Sequence, residues 1–176
     1  MPSARLAAGQ EVPGGRRPSF AQCFAVVDRT SVEPALDTVA LLRWLVFGAL
    51  VGNADGHAKN LSLLRAVDGR QKLAPFYDLL CTAAYPSIAT RLAMQVGQTD
   101  DPGQIRGRDW RQVAEAIGVT TGYVVALVRN MAESLPSLGA KVAREMAESY
   151  GRLPAAEMIL PVLRKRSRRT LQLLRK

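Results

Sequence analysis

The sequence predicts a mainly α-helical fold, a helical bundle with one small β-hairpin insert. Three observations indicate this fold. Apolar residues recur at helical spacing in the first third of the chain, an Asp-Gly pair separates two short apolar runs, and the part after Pro102 is divided into helices by Gly and Pro. The 176 residues suffice for one domain, and the 48% hydrophobic and 22% charged content excludes a chain that is disordered throughout.

Two helices are expected before the hairpin. Ser19 can cap a short helix through Val27, and its apolar residues share one face: Phe20, Cys23, Phe24 and Val27. Glu33 and Pro34 are typical of the start of a second helix, which is apolar on nearly all sides over residues 39–51 and should therefore be buried. Residues 1–17 are rich in Gly, Pro and Arg and are expected to form a flexible segment.

The hairpin is predicted from turn chemistry. An apolar segment over residues 60–64 runs toward Asp68 and Gly69, and a return strand over 71–74 is ended by Pro75. A further short strand is expected over 91–96, because apolar residues alternate with others there.

The remainder is expected to be helical. Asp109 is expected to cap a helix that ends at Ile117, and Thr120 or Thr121 to cap another. Because Pro136 follows Leu135, the second helix should end there. Two more helices are predicted over residues 140–150 and 155–174.

The net charge of +9 is concentrated at the carboxyl end. Seven basic residues and no acidic ones lie from Arg164 onward, so residues 1–163 carry a net charge of only +2. This tail leaves open a non-catalytic binding module for nucleic acid or an acidic protein. The leucines at helical spacing equally fit an ordinary amphipathic helix with a solvated basic face.

Cysteine usage and hydropathy indicate a protein of the reducing cytoplasm. Cys23 and Cys81 lie far apart and the chain has one histidine, too few for a zinc site or a disulfide scaffold. The apolar run over 39–51 is interrupted by Arg43 and is shorter than a membrane span, and the first residues do not resemble a signal peptide.

A polar loop follows the buried helix and concentrates reactive groups within eight residues: Asn53, Asp55, His57, Lys59 and Asn60. In phosphoryl transfer an Asp accepts or orients the proton of the attacking hydroxyl, and an Asn five positions later can bind magnesium. Asp55 and Asn60 have this spacing.

Asp78 supplies a second carboxylate at the end of the hairpin, where kinases place a metal ligand. Magnesium needs few protein ligands, so Asn60 and Asp78 would be enough. Each feature also has a structural explanation: the loop could be only a turn, His57 could only hold it in place, and Lys59 could be a surface charge. Phe76 and Tyr77 are expected to be packing residues.

Two segments resemble the catalytic loop and metal-binding segment of HipA-type serine/threonine kinases. They are Asn-Ala-Asp-Gly-His-Ala-Lys-Asn-Leu-Ser-Leu at 53–63 and Pro-Phe-Tyr-Asp-Leu at 75–79. Residues 18–24, Leu92-Ala93-Met94 and Asp109-Trp110 are similar to further parts of the family, so the resemblance covers about residues 18–135. The Asp-x-His-x-x-Asn pattern also resembles phosphoinositide-type kinases.

The resemblance implies a kinase-like C-terminal lobe over 18–176, with a basic C-terminal helix over 155–176 and ATP and Mg²⁺ as cofactors. It implies Asp55 as catalytic base and Asn60 and Asp78 as magnesium ligands. His57 and Lys59 would support catalysis or contact the nucleotide, as Asp78 would through the metal. A bacterial toxin role is also implied, with serine phosphorylation of a protein such as an aminoacyl-tRNA synthetase and a helix-turn-helix antitoxin that binds DNA.

The nucleotide-covering lobe of a kinase is expected to be absent. Residues 1–54 contain no lysine and no glycine-rich phosphate loop, both of which kinases use. We therefore expect a truncated or split form with little autonomous activity, or one that works with an N-terminal lobe from another chain. A pseudokinase-like scaffold is the non-catalytic alternative.

Overall fold

The computed structural model describes residues 18–175 and confirms the mainly α-helical fold with one small hairpin. The predicted flexible segment 1–17 lies outside the described residues. The elements in chain order are α1 (Phe20–Thr30), α2 (Pro34–Val51), β1 (Leu63–Arg65), β2 (Gln71–Leu73), α3 (Gly107–Ala116), α4 (Thr121–Tyr150) and α5 (Pro154–Leu173).

Helix α1 begins as predicted at Ser19. The Gln22 amide N–H donates to the Ser19 hydroxyl oxygen (3.3 Å), and the Ser19 N–H donates to the Gln22 side-chain oxygen (2.8 Å), a reciprocal capping box. The four residues predicted to share a face are all buried, and α1 packs against α2.

Helix α2 is the centre of the molecule. Leu41, Leu42 and Val46 are completely buried, and eight of its residues belong to the buried set. Among the described residues it is the one helix long and apolar enough to cross a membrane, and its burial inside the fold is the usual property of a core helix. It contacts α1, α4, α5 and β2, so it is packed against most of the other elements of the fold.

The hairpin forms where predicted. Strands β1 and β2 pair antiparallel with Leu63 opposite Leu73, and Gly69 takes a φ of 83° in the turn. The Asp37 carboxylate of α2 accepts from the Leu73 N–H and from the Ser31 hydroxyl, each at 2.6 Å. These bonds attach the hairpin to the start of α2 and fix where the following segment leaves it.

The strand expected over 91–96 is wrong. Leu92, Met94 and Val96 are buried as the alternation predicts, but Val96 makes only an isolated bridge with Thr99. The Leu92 N–H donates to the Asp100 carbonyl (2.8 Å), so the segment bonds to its own loop. Alternating hydrophobicity indicates that one side of a segment is buried, but it does not indicate whether another strand pairs with that segment.

The prediction that Asp109 caps α3 is wrong, because Asp109 lies inside the first turn of the helix. Arg106 is the N-cap, and the buried Asp109 carboxylate accepts from the Arg106 N–H (2.8 Å) and the Gln98 N–H (3.3 Å). Gly97 is required beside it, because a Cβ there would lie 2.6 Å from the Asp109 Cα. Asp109 is the N3 residue of a capping box, so the helix begins three residues earlier than the prediction placed it.

The helix break predicted at Pro136 is also wrong. Helix α4 continues through Pro136 to Tyr150, and the two helices expected to be separate are one. At Gly139 an added Cβ would lie 2.7 Å from the Leu163 side chain of α5, which shows how closely the two helices pack just after the proline. Tertiary packing against α5 therefore outweighs the local cost of proline within a helix.

Candidate active site

The polar loop starts at an abrupt helix end. Gly52 is the C-cap of α2 and takes the left-handed conformation, with a φ of 71°. A Cβ at this position would lie 2.7 Å from the Cβ of Ala83. Glycine is required here both by the backbone angle and by the close approach of another segment.

Asn53 organises the loop. Its side chain is buried, and its oxygen accepts from the Asp55 N–H (3.0 Å) while its amide nitrogen donates to the Asp78 carbonyl (3.5 Å). Asn53 thus joins the loop to the segment after the hairpin. The sequence placed it in the polar loop but assigned it no role.

Asp55 and His57 lie together at the outer side of the loop. Nε2 of His57 is 3.6 Å from Oδ1 of Asp55, and 55% of the Asp55 side chain is exposed. Nδ1 of His57 is buried and has no hydrogen-bond partner among the described residues. The Asp55 carboxylate is therefore accessible to a substrate and lies near an imidazole, at a distance too long for a hydrogen bond.

The two predicted metal ligands are in direct contact. The Asn60 amide nitrogen donates to Oδ2 of Asp78 at 3.0 Å, although the residues are eighteen positions apart. The Asn60 oxygen accepts from the His57 N–H (3.1 Å), which leaves one of its two lone pairs for another partner. Asp78 is the one described non-glycine residue with a positive φ, of 59°, the kind of backbone strain that concentrates at functional sites.

Magnesium fits this donor set better than a transition metal. Within the described part of the chain no group of three or more His, Cys, Asp and Glu side chains could hold an ion. Asn60 and Asp78 offer oxygen atoms, and Mg²⁺ is commonly bound by one or two such groups together with water and phosphate oxygens. Their assignment as magnesium ligands stays a prediction that this geometry supports.

Lys59 and Tyr77 connect the loop to the same segment. The Tyr77 hydroxyl donates to the Lys59 carbonyl (3.0 Å) and lies 3.0 Å from the Ser62 hydroxyl. The Lys59 side chain is exposed. Phe76 stacks on Trp44 with ring centroids 6.0 Å apart, so the packing interpretation holds for Phe76, whereas Tyr77 tethers the loop.

Three residues at this site were not identified from the sequence. Thr82 is buried; its hydroxyl donates to the Gly52 carbonyl (2.7 Å) and accepts from the Ala54 N–H (2.8 Å). Cys81 donates its thiol to the Val51 carbonyl (3.1 Å), and burial raises the pKa of that thiol. Arg166 of α5 donates to the Ala49 and Leu50 carbonyls. No local pattern marks these residues, since their partners are distant in sequence.

Comparison with known proteins identifies the region. Residues 6–138 match the family described as the HipA-like C-terminal domain. The candidate kinase Y4mE of Sinorhizobium fredii is 35% identical over 133 residues, covering 76% of this chain and 31% of that protein. The serine/threonine-protein kinase toxin HipA of Shewanella oneidensis is 27% identical over 124 residues, covering 70% of this chain and 28% of that protein.

The fold is shared with a solved structure. In the complex of Shewanella oneidensis HipA, HipB and operator DNA, a chain superposes with a TM-score of 0.76 at 24% identity, over 89% of this chain and 36% of that chain. The present chain thus spans about a third of the length of the relatives it matches.

Proposed function

This chain belongs to the family of HipA-like C-terminal domains, which form part of toxin kinases, and we propose that it carries the catalytic loop and metal-binding segment of a serine/threonine protein kinase. The contact between Asn60 and Asp78 carries the proposal. It joins the two predicted ligands at the base of the loop that presents Asp55 to solvent.

We assign Asp55 as the group that accepts or orients the proton of an attacking serine hydroxyl. Its exposure leaves room for a substrate, and the bond from its N–H to Asn53 fixes the backbone beneath it. His57, 3.6 Å away, would hold the carboxylate in position. Lys59, exposed on the same loop, would contact a phosphate group.

Asn60 and Asp78 would hold Mg²⁺, which would neutralise negative charge on the phosphates of ATP during transfer. The Asn60 oxygen and the Asp78 carboxylate retain lone pairs for this purpose. Asp78 would thereby also contact the nucleotide.

Phosphoryl transfer also needs groups over the phosphates that residues 1–54 do not contain, since they include no lysine. A nucleotide-covering lobe would have to come from the same polypeptide or from another. By analogy with the HipA–HipB complex on operator DNA, we propose a helix-turn-helix antitoxin as partner, DNA contact through it, and a cytoplasmic location. An aminoacyl-tRNA synthetase is a candidate protein substrate.

Calorimetric titration with ATP, with and without Mg²⁺, tests the proposal. The wild-type chain is expected to bind ATP only with Mg²⁺, and Asp78→Asn to lose that binding, because the amide removes the charge but tolerates the left-handed backbone. Asp55→Asn is the matched control and should bind as wild type does. Absence of Mg²⁺-dependent binding in wild type, or its retention in Asp78→Asn, would overturn the proposal.

A non-catalytic binding module is the second candidate, favoured by a separate basic region. A concavity of about 630 Å³ at the end of α5 is lined by Arg168, Arg169 and Arg175 among others. If this region binds nucleic acid, affinity for a DNA duplex should fall steeply with salt and should depend on these arginines. Affinity independent of salt would exclude that function.

A further inference from the structure

The last turn of α2 has every carbonyl group accounted for. A helix end leaves about four carbonyls without intrahelical partners. Here the Gly48 carbonyl accepts from the Asn53 N–H, while Val51 and Gly52 receive bonds from Cys81 and Thr82 of the segment after Asp78. The two carbonyls between them, of Ala49 and Leu50, accept from Arg166.

Arg166 suits this position because of its shape. Nε donates to the Leu50 carbonyl (3.2 Å) and Nη2 donates to the Ala49 carbonyl (3.0 Å), so one planar group serves two successive acceptors. Its positive charge also lies at the negative end of the α2 dipole. Burial lowers the pKa of the guanidinium, and the nearby Cys81 and Asp101 oppose that effect.

The guanidinium also abuts the start of the loop. A Cβ on Gly52 would lie 3.0 Å from Cζ of Arg166 on one side and 2.7 Å from Ala83 on the other. Gly52 therefore lies in close contact with both Arg166 and the segment after Asp78. Arg166 lies outside residues 6–138, the part that matches the family.

We infer that Arg166 is a positioning residue: from α5 it fixes the carboxyl end of α2, and through it the loop with Asp55 and Asn60 and the segment with Asp78. Helix α5 then contributes to the candidate active site, although the hydrogen bonds of Arg166 run to the end of α2 and not to Asn60 or Asp78. The expected effect of Arg166 on nucleotide affinity rests on the proposed function, whereas its expected effect on the rigidity of the loop does not.

Hydrogen exchange of the full chain, followed by mass spectrometry or NMR, is the direct test. In Arg166→Gln, amides of residues 53–57 and 83 should exchange about tenfold faster or more, the scale expected for losing bonds from a charged donor. Amides at the contact between α4 and α5 should exchange at the wild-type rate. Arg166→Lys keeps the charge but loses the planar fork, so its loop exchange should be intermediate.

Arg164→Gln is the matched control, since it removes the same charge from an exposed position of α5 two residues away and should change nothing in the loop. Unchanged loop exchange in Arg166→Gln would overturn the inference. Equal acceleration throughout α4, α5 and the loop would overturn it as well, because Arg166 would then stabilise only the whole fold. If Arg166→Gln does not fold, the comparison between Arg166→Lys and wild type decides on the same criterion.

Nucleotide binding separates this inference from the proposed function. If wild type binds Mg²⁺-ATP, affinity should fall in the order wild type, Arg166→Lys, Arg166→Gln, with Arg164→Gln equal to wild type. If wild type binds no nucleotide, the proposed function is wrong, and the hydrogen-exchange experiment still decides whether Arg166 positions the loop.

Discussion

At the scale of single residues, chemistry and strain coincide at Asp78. Its carboxylate receives the Asn60 amide while its backbone takes a φ of 59°. Asn and Asp tolerate this conformation, whereas a residue such as Ala does not. Side-chain chemistry and backbone preference therefore both favour Asp here, and the two contributions can be separated by substitution.

We expect Asp78→Ala to be less stable than Asp78→Asn by about 1 kcal/mol, the cost of placing Ala in the left-handed region. Both variants should lose Mg²⁺-dependent binding. Urea unfolding of the two proteins, with wild type as reference, measures the difference. Equal stability of the two variants would show that the positive φ carries no strain.

Asp55 should behave differently, because its side chain is 55% exposed. Asp55→Asn is expected to change the free energy of unfolding by no more than about 0.5 kcal/mol, as is usual for surface positions. Phosphoryl transfer by an assembly that contains the chain should nevertheless be lost. Thermal unfolding and a phosphorylation assay check both parts; a strongly destabilised variant would assign Asp55 a structural role.

At the scale of elements, the end of α2 is the critical junction. Gly52 and Gly118 have similar φ angles, 71° and 68°, but only Gly52 has neighbours within 4 Å of an added Cβ. Both follow helices, so comparing the same substitution at the two glycines separates the effect of steric contact on stability from the effect of backbone strain.

Gly118→Ala should cost about 1 kcal/mol, from the left-handed backbone alone. Gly52→Ala should cost about 1–3 kcal/mol more, because its Cβ would overlap Ala83 and Arg166. Chemical denaturation of both variants measures the difference. Similar losses in the two would mean that the junction adjusts freely.

Helix α4 contains a residue, Pro136, that is unfavourable inside a helix. Pro136 cannot donate a backbone hydrogen bond and crowds the carbonyl four residues earlier. Pro136→Ala is expected to raise stability by about 1–3 kcal/mol. Pro34→Ala, at the first turn of α2 where no bond is lost, should be near neutral. A lower melting temperature for Pro136→Ala would show that packing on α5 needs the proline.

At the scale of the whole molecule, burial of the two thiols couples stability to pH. Burial is the main cause that raises the pKa of both Cys23 and Cys81. The unfolded chain then loses these protons at lower pH than the folded chain, so stability is full below the ordinary thiol pKa and falls as pH rises through it.

We expect the free energy of unfolding to decline between about pH 8 and pH 10, with a shallower decline in Cys81→Ala. Denaturation at several pH values under reducing conditions measures this. An identical slope in Cys81→Ala would contradict the contribution assigned to Cys81.

The fold and the candidate site could be predicted from the sequence where the signals are local. Capping at Ser19, the apolar α2, the Asp-Gly turn and the spacing of Asp55 and Asn60 are each encoded within a few residues. The family resemblance adds the pairing of the loop with Asp78, and the family is confirmed. Local hydrogen bonding and helical periodicity need no knowledge of the rest of the chain.

Tertiary structure alone decided the remainder. Helix α4 continues through Pro136 because α5 packs against it. Residues 91–96 form no strand because, within residues 18–175, no partner strand lies beside them. Arg166 reaches the end of α2 across more than a hundred residues of sequence. The carbonyls at a helix end must find donors, and which distant side chain supplies them depends on how the helices pack.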